Sequence, residues 1–286
     1  MLKLIMAAFL LVLMHNPALG EEASLDYIET FPTGEINWKT GKMSAIGFSE
    51  SSQKKTGIQP LRNEALSTAR KIAGDTLVGL IGKLCLSGGR TVSEVMEAEP
   101  SIAEKIREMV RSVPVVQQNF LSDGAAEIVV EMSIYGGFAQ LILPDEIRHI
   151  EAIQPVKVTK NRQSDDTSGS AGRLQAGGLV IDARGLGATP AMTFAVLDEN
   201  GKPVYGSAYI SREYAVQWGM AEYVRRVPTR DDSVRVSPNP LVIKGLRATG
   251  VGRTDIVISN ADAVKLRGAV ENLLFLRKGR VSVVLD

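Results

Sequence analysis

The sequence is poor in the residues that carry most enzyme chemistry. It has one cysteine, Cys85, and two histidines, His15 and His149. A single cysteine excludes an internal disulfide. His149 and Cys85 together are too few ligands for a zinc site unless carboxylates join them. Ser-His-Asp and Cys-His catalysis would both have to run through His149, in "DEIRHIEAI", and no nucleophile-elbow pattern lies beside it. His149 therefore reads as an ordinary, partly exposed side chain. Cys85 reads as a packing residue at the apolar end of a helix, not a reactive thiol.

An excess of charge of either sign is also missing. Lys and Arg number 33 against 32 Asp and Glu, so the electrostatic footprint of a nucleic-acid binder is absent. No G-x-x-x-x-G-K-[ST] loop occurs. Beyond Met14 no apolar run approaches the length of a membrane span.

The chain opens with "MLKLIMAAFLLVLMHNPALG": a lysine at position 3, an apolar run from Leu4 to Met14, then Pro17 and the small residues Ala18 and Gly20. This is the layout of a secretory signal peptide, residues 1–20, with cleavage expected after Gly20 and export to the periplasm. No cysteine stands at the cleavage point, so no lipid anchor is expected.

Residues 157–178, "KVTKNRQSDDTSGSAGRLQAGG", offer almost nothing to bury. They divide the exported chain into an N-terminal domain, 21–156, a flexible linker, 157–173, and a C-terminal domain, 174–286. In the first domain "INWKTGKMSAIGFSE" has strand character. A long helix follows, with Pro60 in its first turn and Gly88-Gly89 as its stop. Its apolar face comprises Leu61, Ala65, Ala69, Ile72, Ala73, Thr76, Leu77, Leu80, Ile81 and Leu84. A shorter helix is expected over Ser101–Val110, then two strands joined at Ser122-Asp123-Gly124.

The second domain starts with a strand over Leu179–Ala183 and a hairpin turning at Asn200-Gly201. "SREYAVQWGMAEYVR" predicts a helix opened by Ser211. Strands follow at Leu241–Ala248 and Asp255–Ile258, then a helix capped by Ser259 or Asn260 and running through Leu274. Its expected buried face is Ala263, Leu266, Val270, Leu273 and Leu274, and "RVSVVLD" makes a last strand, either buried and central or an open edge. The fold class is α+β: two small domains, each a mainly antiparallel or mixed sheet packed against helices.

Few constellations invite a functional reading. Gly185-Leu186-Gly187 and Gly250-Val251-Gly252 begin like dinucleotide fingerprints, but the third glycine position holds Pro190 in one and Asp255 in the other. Strands, not helices, follow both, so they read as turns. Asp182, in an apolar strand, needs a partner, and Arg184 lies on the same face. The pair reads as a structural salt bridge, or else as an acid in a cleft. "DENGK", Asp198–Lys202, lacks the remaining oxygen ligands of a calcium loop and fits a hairpin. Tyr214, Trp218 and Tyr223 form either a binding surface or core packing. No catalytic, cofactor or metal residue is assigned.

"MSAIGFSE", "RNEALSTARKIAGDTLVGLI" and "SDGAAEIVVEMSIYG" carry a resemblance to a group of exported bacterial proteins. Over Ile36 to Leu143 the chain resembles the flagellar assembly protein T N-terminal domain and the small flagellar-sheath lipoprotein family. "GLVIDARGLGATPAM", "LDENGKPVYG", "NPLVIKGLRATG" and "DIVISNADAVKL" are similar to C-terminal regions of exported proteins that contain the same first domain. The resemblance implies a non-catalytic periplasmic protein, built into or near the flagellar basal body or outer envelope. Its partners would be proteins there, with a homo-oligomer allowed, and no nucleic acid, cofactor or lipid anchor is expected. The alternative is a periplasmic ligand-binding or carboxylate-dependent carbohydrate-acting protein that uses Asp182 and the aromatic residues.

Overall fold

The computed structural model describes residues 24–50, 58–122, 124–148, 176–229 and 231–286. The expected signal peptide at 1–20, the expected linker at 157–173 and His149 lie outside the described residues, as do the side chains of Pro60 and Leu61. The fold is α+β, with helices packed on antiparallel and mixed sheets.

The first sheet has five strands: β1 (Ile28–Phe31), β2 (Gly34–Asn37), β3 (Lys42–Phe48), β6 (Val115–Phe120) and β7 (Ala126–Ser133), in the order β1-β2-β3-β7-β6. Every pairing is antiparallel. Alternation along β3 turns Met43, Ala45 and Gly47 inward, and β7 turns Ala126, Ile128 and Val130 the same way. Helix α1 (Ile58–Lys83) lies across β3 and β7.

The spacing of small residues explains how close that helix comes. Ala65, Ala69, Ala73 and Leu77 recur every four residues and are buried. A Cβ at Gly47 would sit 2.1 Å from the Ala69 carbonyl oxygen and 2.3 Å from the Ala73 nitrogen. Glycine in the strand and alanine on the helix therefore set the layer spacing. Ile72, expected on this face, is 39% exposed at its margin.

The helix ends at Lys83, short of Gly88-Gly89. Those glycines instead turn a hairpin of β4 (Cys85–Ser87) and β5 (Arg90–Thr91). Tertiary pairing wins over helix continuation here: the Cys85 and Leu86 carbonyls accept from the Met192 and Thr193 amides at 2.9 and 2.8 Å. Cys85 is thus a half-buried strand residue rather than the tail of a helix.

A helix beyond those expected from the sequence, α2 (Val92–Ala98), follows directly. It starts with a capping box: Thr91 accepts from the Glu94 amide, and the Glu94 carboxylate accepts from the Thr91 amide. Helix α3 (Pro100–Ser112) then buries Ala103, Ile106 and Val110. Strands β6 and β7 pair antiparallel as expected of the hairpin signal at 122–124, of which Asp123 lies outside the described residues, and α4 (Gly137–Ile142) closes the first half.

The second sheet has seven strands: β8 (Leu179–Asp182), β9 (Val196–Leu197), β10 (Pro203–Tyr205), β11 (Glu222–Val224), β12 (Leu241–Thr249), β13 (Asp255–Ile258) and β14 (Val281–Val284). Their order is β10-β9-β13-β12-β8-β14-β11. The closing strand β14 is buried along its whole length and pairs in parallel with β8 on one side and β11 on the other. It is a central strand, so "RVSVVLD" offers no edge.

Helix α5 (Arg212–Trp218) is shorter than expected, because Gly219 ends it and Glu222–Val224 enters the sheet as β11. The last helix is two helices, α6 (Asn260–Arg267) and α7 (Val270–Arg277), broken at Gly268. The break resets the helical phase. Phe275 and Leu276 are buried in α7, as is Asn272, while Leu273 and Leu274 are exposed; the side chain of Val270 lies outside the described residues. Ser259 caps α6 by accepting from the Asp262 amide at 3.0 Å.

One apolar core runs through both halves. It joins Ile36, Met43, Leu77 and Ile81 of the first to Ile181, Phe194, Tyr205 and Val283 of the second.

Candidate functional site

Three glycine turns converge, and protein fills the space between them. Gly185 and Gly187 have φ of 76° and 59°, the left-handed region that glycine enters without strain. The Gly185 amide donates to both carboxylate oxygens of Asp286 at 2.9 Å. The Arg253 guanidinium covers Gly187 and donates to the Leu186 carbonyl. Thr189 bonds the other glycine turn, through the Gly252 carbonyl and the Arg253 carbonyl. Gly252 in turn abuts Gly88-Gly89 from the first half. These turns bind one another.

The carboxylates singled out by the sequence are held by neighbours. Arg184 grips Asp182 through Nε at 2.8 Å and Nη2 at 2.7 Å. That hydrogen bonding lowers the Asp182 pKa against a smaller opposing effect of burial. An acid kept ionised in this way is a poor proton donor. Asp198, in the Asn200-Gly201 hairpin, accepts from the Asn200 and Lys202 amides and from Arg267. Burial works to raise its pKa, but these partners prevail and lower it. Among the described residues no group of three His, Cys, Asp or Glu side chains is placed to hold a metal ion. Burial raises the pKa of the Cys85 thiol, which disfavours the thiolate.

The aromatic residues separate. Tyr223 is on β11, not on a helix with Tyr214 and Trp218, and is buried. Its hydroxyl donates to the Ala191 carbonyl and accepts from the Ala191 amide. Its ring meets Trp38 of the first half edge-on, with centroids 5.7 Å apart. Trp218 is 59% exposed. A crevice between the halves, lined in part by Trp38, Tyr135, Met220 and Tyr223, encloses about 10 Å³, room for a single water.

An arginine clasp reinforces this join, and sequence spacing gives no sign of it. Arg212 donates to the carbonyls of Gln140, Leu143, Pro144 and Ile147, at the C-terminal end of α4 and just beyond. A cation there also faces the negative end of the helix dipole. Backbone pairing adds to it: Tyr27 donates to the Tyr223 carbonyl, Arg225 donates to the Leu25 carbonyl, and Asp26 bridges Val224.

The sheet edges differ in how they are closed. The outer side of β11 is taken by residues 25–27, as just described. On β10, Pro203 has no amide to offer, and its carbonyl already accepts from Tyr209 and Arg267. The β4 carbonyls are used by Met192 and Thr193. Strand β1 is four residues long and carries Glu29, a charge that discourages pairing. Strand β6, "VVQQNF", has six residues, all exposed and none charged. Val116 is 53% exposed and Phe120 41%, and Leu121 just beyond is 45% exposed. Strand β6 carries no charge of its own, and among the described residues its edge is marked only by a bulge at Val116 and by Arg62 over the Phe120 ring.

Residues 178–286 match the family described as Treponema pallidum Tp0624, second domain. The matched span takes in all seven strands of the second sheet, β8 to β14. No curated protein matches the chain.

Proposed function

We propose that this is an exported, non-catalytic structural or assembly protein of the cell envelope, working through its folded surfaces and associated with the flagellar basal body or outer envelope. The observation that carries the reading is the β6 edge, which no strand covers among the described residues. An uncharged edge strand with exposed apolar side chains is a liability in a protein that works alone, and a recruiting surface in one that assembles. The resemblance of residues 36–143 to flagellar assembly and sheath proteins supplies the envelope setting. Against the carbohydrate-acting alternative stand the pairing of Asp182 with Arg184 and the burial of Tyr223, while Trp218 stays exposed.

The test is cell fractionation with crosslinking in living cells, beside incubation of the purified protein with cell-wall glycan. Recovery from the periplasm or envelope, crosslinked to envelope proteins and with no glycan turnover, is expected. Glycan turnover abolished by Asp182→Asn would replace assembly with an enzyme.

A further inference from the structure

We propose that the partner of the β6 edge is a second copy of this chain, paired β6 to β6, antiparallel, about a two-fold axis beside Asn119. The inference rests on the assembly reading above and names the occupant of that same edge.

Two backbone hydrogen bonds show which way the strand's amides point. The Leu121 amide donates to the Ala125 carbonyl, and the Ser49 amide donates to the Ala126 carbonyl. In an antiparallel ladder successive residues alternate between facing and turning away from the partner strand. Ala126 thus faces β3, while Ala125 and Glu127 face β6. On β6, Gln117, Asn119 and Leu121 turn their backbone groups toward β7, and Gln118 and Phe120 turn theirs outward. The bulge at Val116, which breaks the register between Val115 and Gln117, confines a regular added ladder to Gln117–Leu121.

An axis beside Asn119 sets Gln118 of each copy opposite Phe120 of the other. Those are the two residues whose N–H and C=O point outward, so each such pair exchanges two hydrogen bonds. The sheets of the two copies then run on as one.

Electrostatics favours a like partner. A two-fold strand pair sets residues close to the axis against their own copies, so one charge near the axis would repel itself. Gln117, Gln118, Asn119 and Phe120 carry none. Asn119 meets Asn119 of the other copy at the axis, and its amide already bonds Glu127 at 2.9 Å. The two Glu127 carboxylates end up three strand spacings apart, roughly 14 Å, beyond a Debye length in physiological salt. Phe120, held under Arg62 at 5.0 Å, brings an apolar ring to each end of the short ladder.

Sedimentation of the exported chain across a concentration series tests the proposal. A concentration-dependent dimer is expected. Gln118→Pro removes an outward amide without touching the β7 ladder, so it should weaken dimerisation about tenfold or more while leaving the melting temperature near that of the parent. Asn119→Lys and Asn119→Glu should each be monomeric alone and form a dimer when mixed. A parent that stays monomeric throughout the series, or a dimer indifferent to both changes, overturns self-pairing. If that monomer still crosslinks to envelope proteins, self-pairing fails and assembly stands; a dimer that never meets the envelope does the reverse.

Discussion

Gly252 and Gly89 meet backbone to backbone across the join between the two halves. A Cβ at Gly252 would sit 2.4 Å from the Gly89 nitrogen and 2.5 Å from its Cα. Neither atom can swing aside as a flexible side chain would. Gly252→Ala should therefore push the loops apart and cost about 1–3 kcal/mol, as overpacking does elsewhere. Chemical denaturation gives the energy, and amide exchange at Gly88, whose amide donates to the Thr254 hydroxyl across the same join, gives the location. A variant as stable as the parent would mean that the contact is not tight in solution.

Arg212 is the second joint. Four carbonyls converge on one guanidinium, and a planar fork of donors suits that arrangement as a single ammonium does not. Arg212→Ala should destabilise by about 2–4 kcal/mol, counting the carbonyls left without it, and Arg212→Lys should recover less than half of that. Full rescue by lysine would reduce the clasp to a charge at the α4 terminus.

Much of the fold could be read in advance where the signal was local. Gly124 and Asn200-Gly201 announced their hairpins, and the alanine spacing of α1 announced a helix lying close on a sheet. Thr91 and Glu94 are equally local, and they spell a capping box. Gly268 hid a helix break because the apolar residues on either side also suited one continuous face. What could not be read was set by partners far along the chain. Cys85–Ser87 is a strand because Met192 and Thr193 pair with it. Arg212 binds carbonyls, which leave no trace in a residue pattern. The apolar run of β14 suits a central strand or an edge equally well until its neighbours are known. The candidate site followed the same rule: the turns at Gly185 and Gly250 and the Asp182–Arg184 pair were legible, while the openness of β6 depends on how every other edge is closed.

The join between halves should outlast the chain that connects them. Bonds between Arg212 and the α4 end, between Tyr223 and residues 27 and 38, and between β4 and residues 192–193 do not depend on the segment 157–173. Cutting a protease site introduced into that segment should leave two fragments that co-elute in native buffer and separate only in denaturant. Fragments that part in native buffer would show the join to be weaker than its hydrogen bonds suggest.

Asp198 should make stability sensitive to acid. Its carboxylate is nearly buried, at 4% side-chain exposure, and its partners, the Lys202 and Asn200 amides and Arg267, favour the charged form. The folded pKa is lowered, so the unfolded chain binds the proton more readily. The stabilisation is therefore fully present above the unfolded value of about 3.9 and is lost as pH falls through it toward the folded value. Asp198→Asn cannot accept from Arg267 as an anion and should melt below the parent at pH 7. The gap between the two melting temperatures should narrow as pH drops below about 4, where the parent loses the same charge. Melting curves from pH 7 to pH 3 give the comparison, and a gap that stays constant over that range would assign the loss to the shape of the Asn200-Gly201 hairpin instead of to the ion pair.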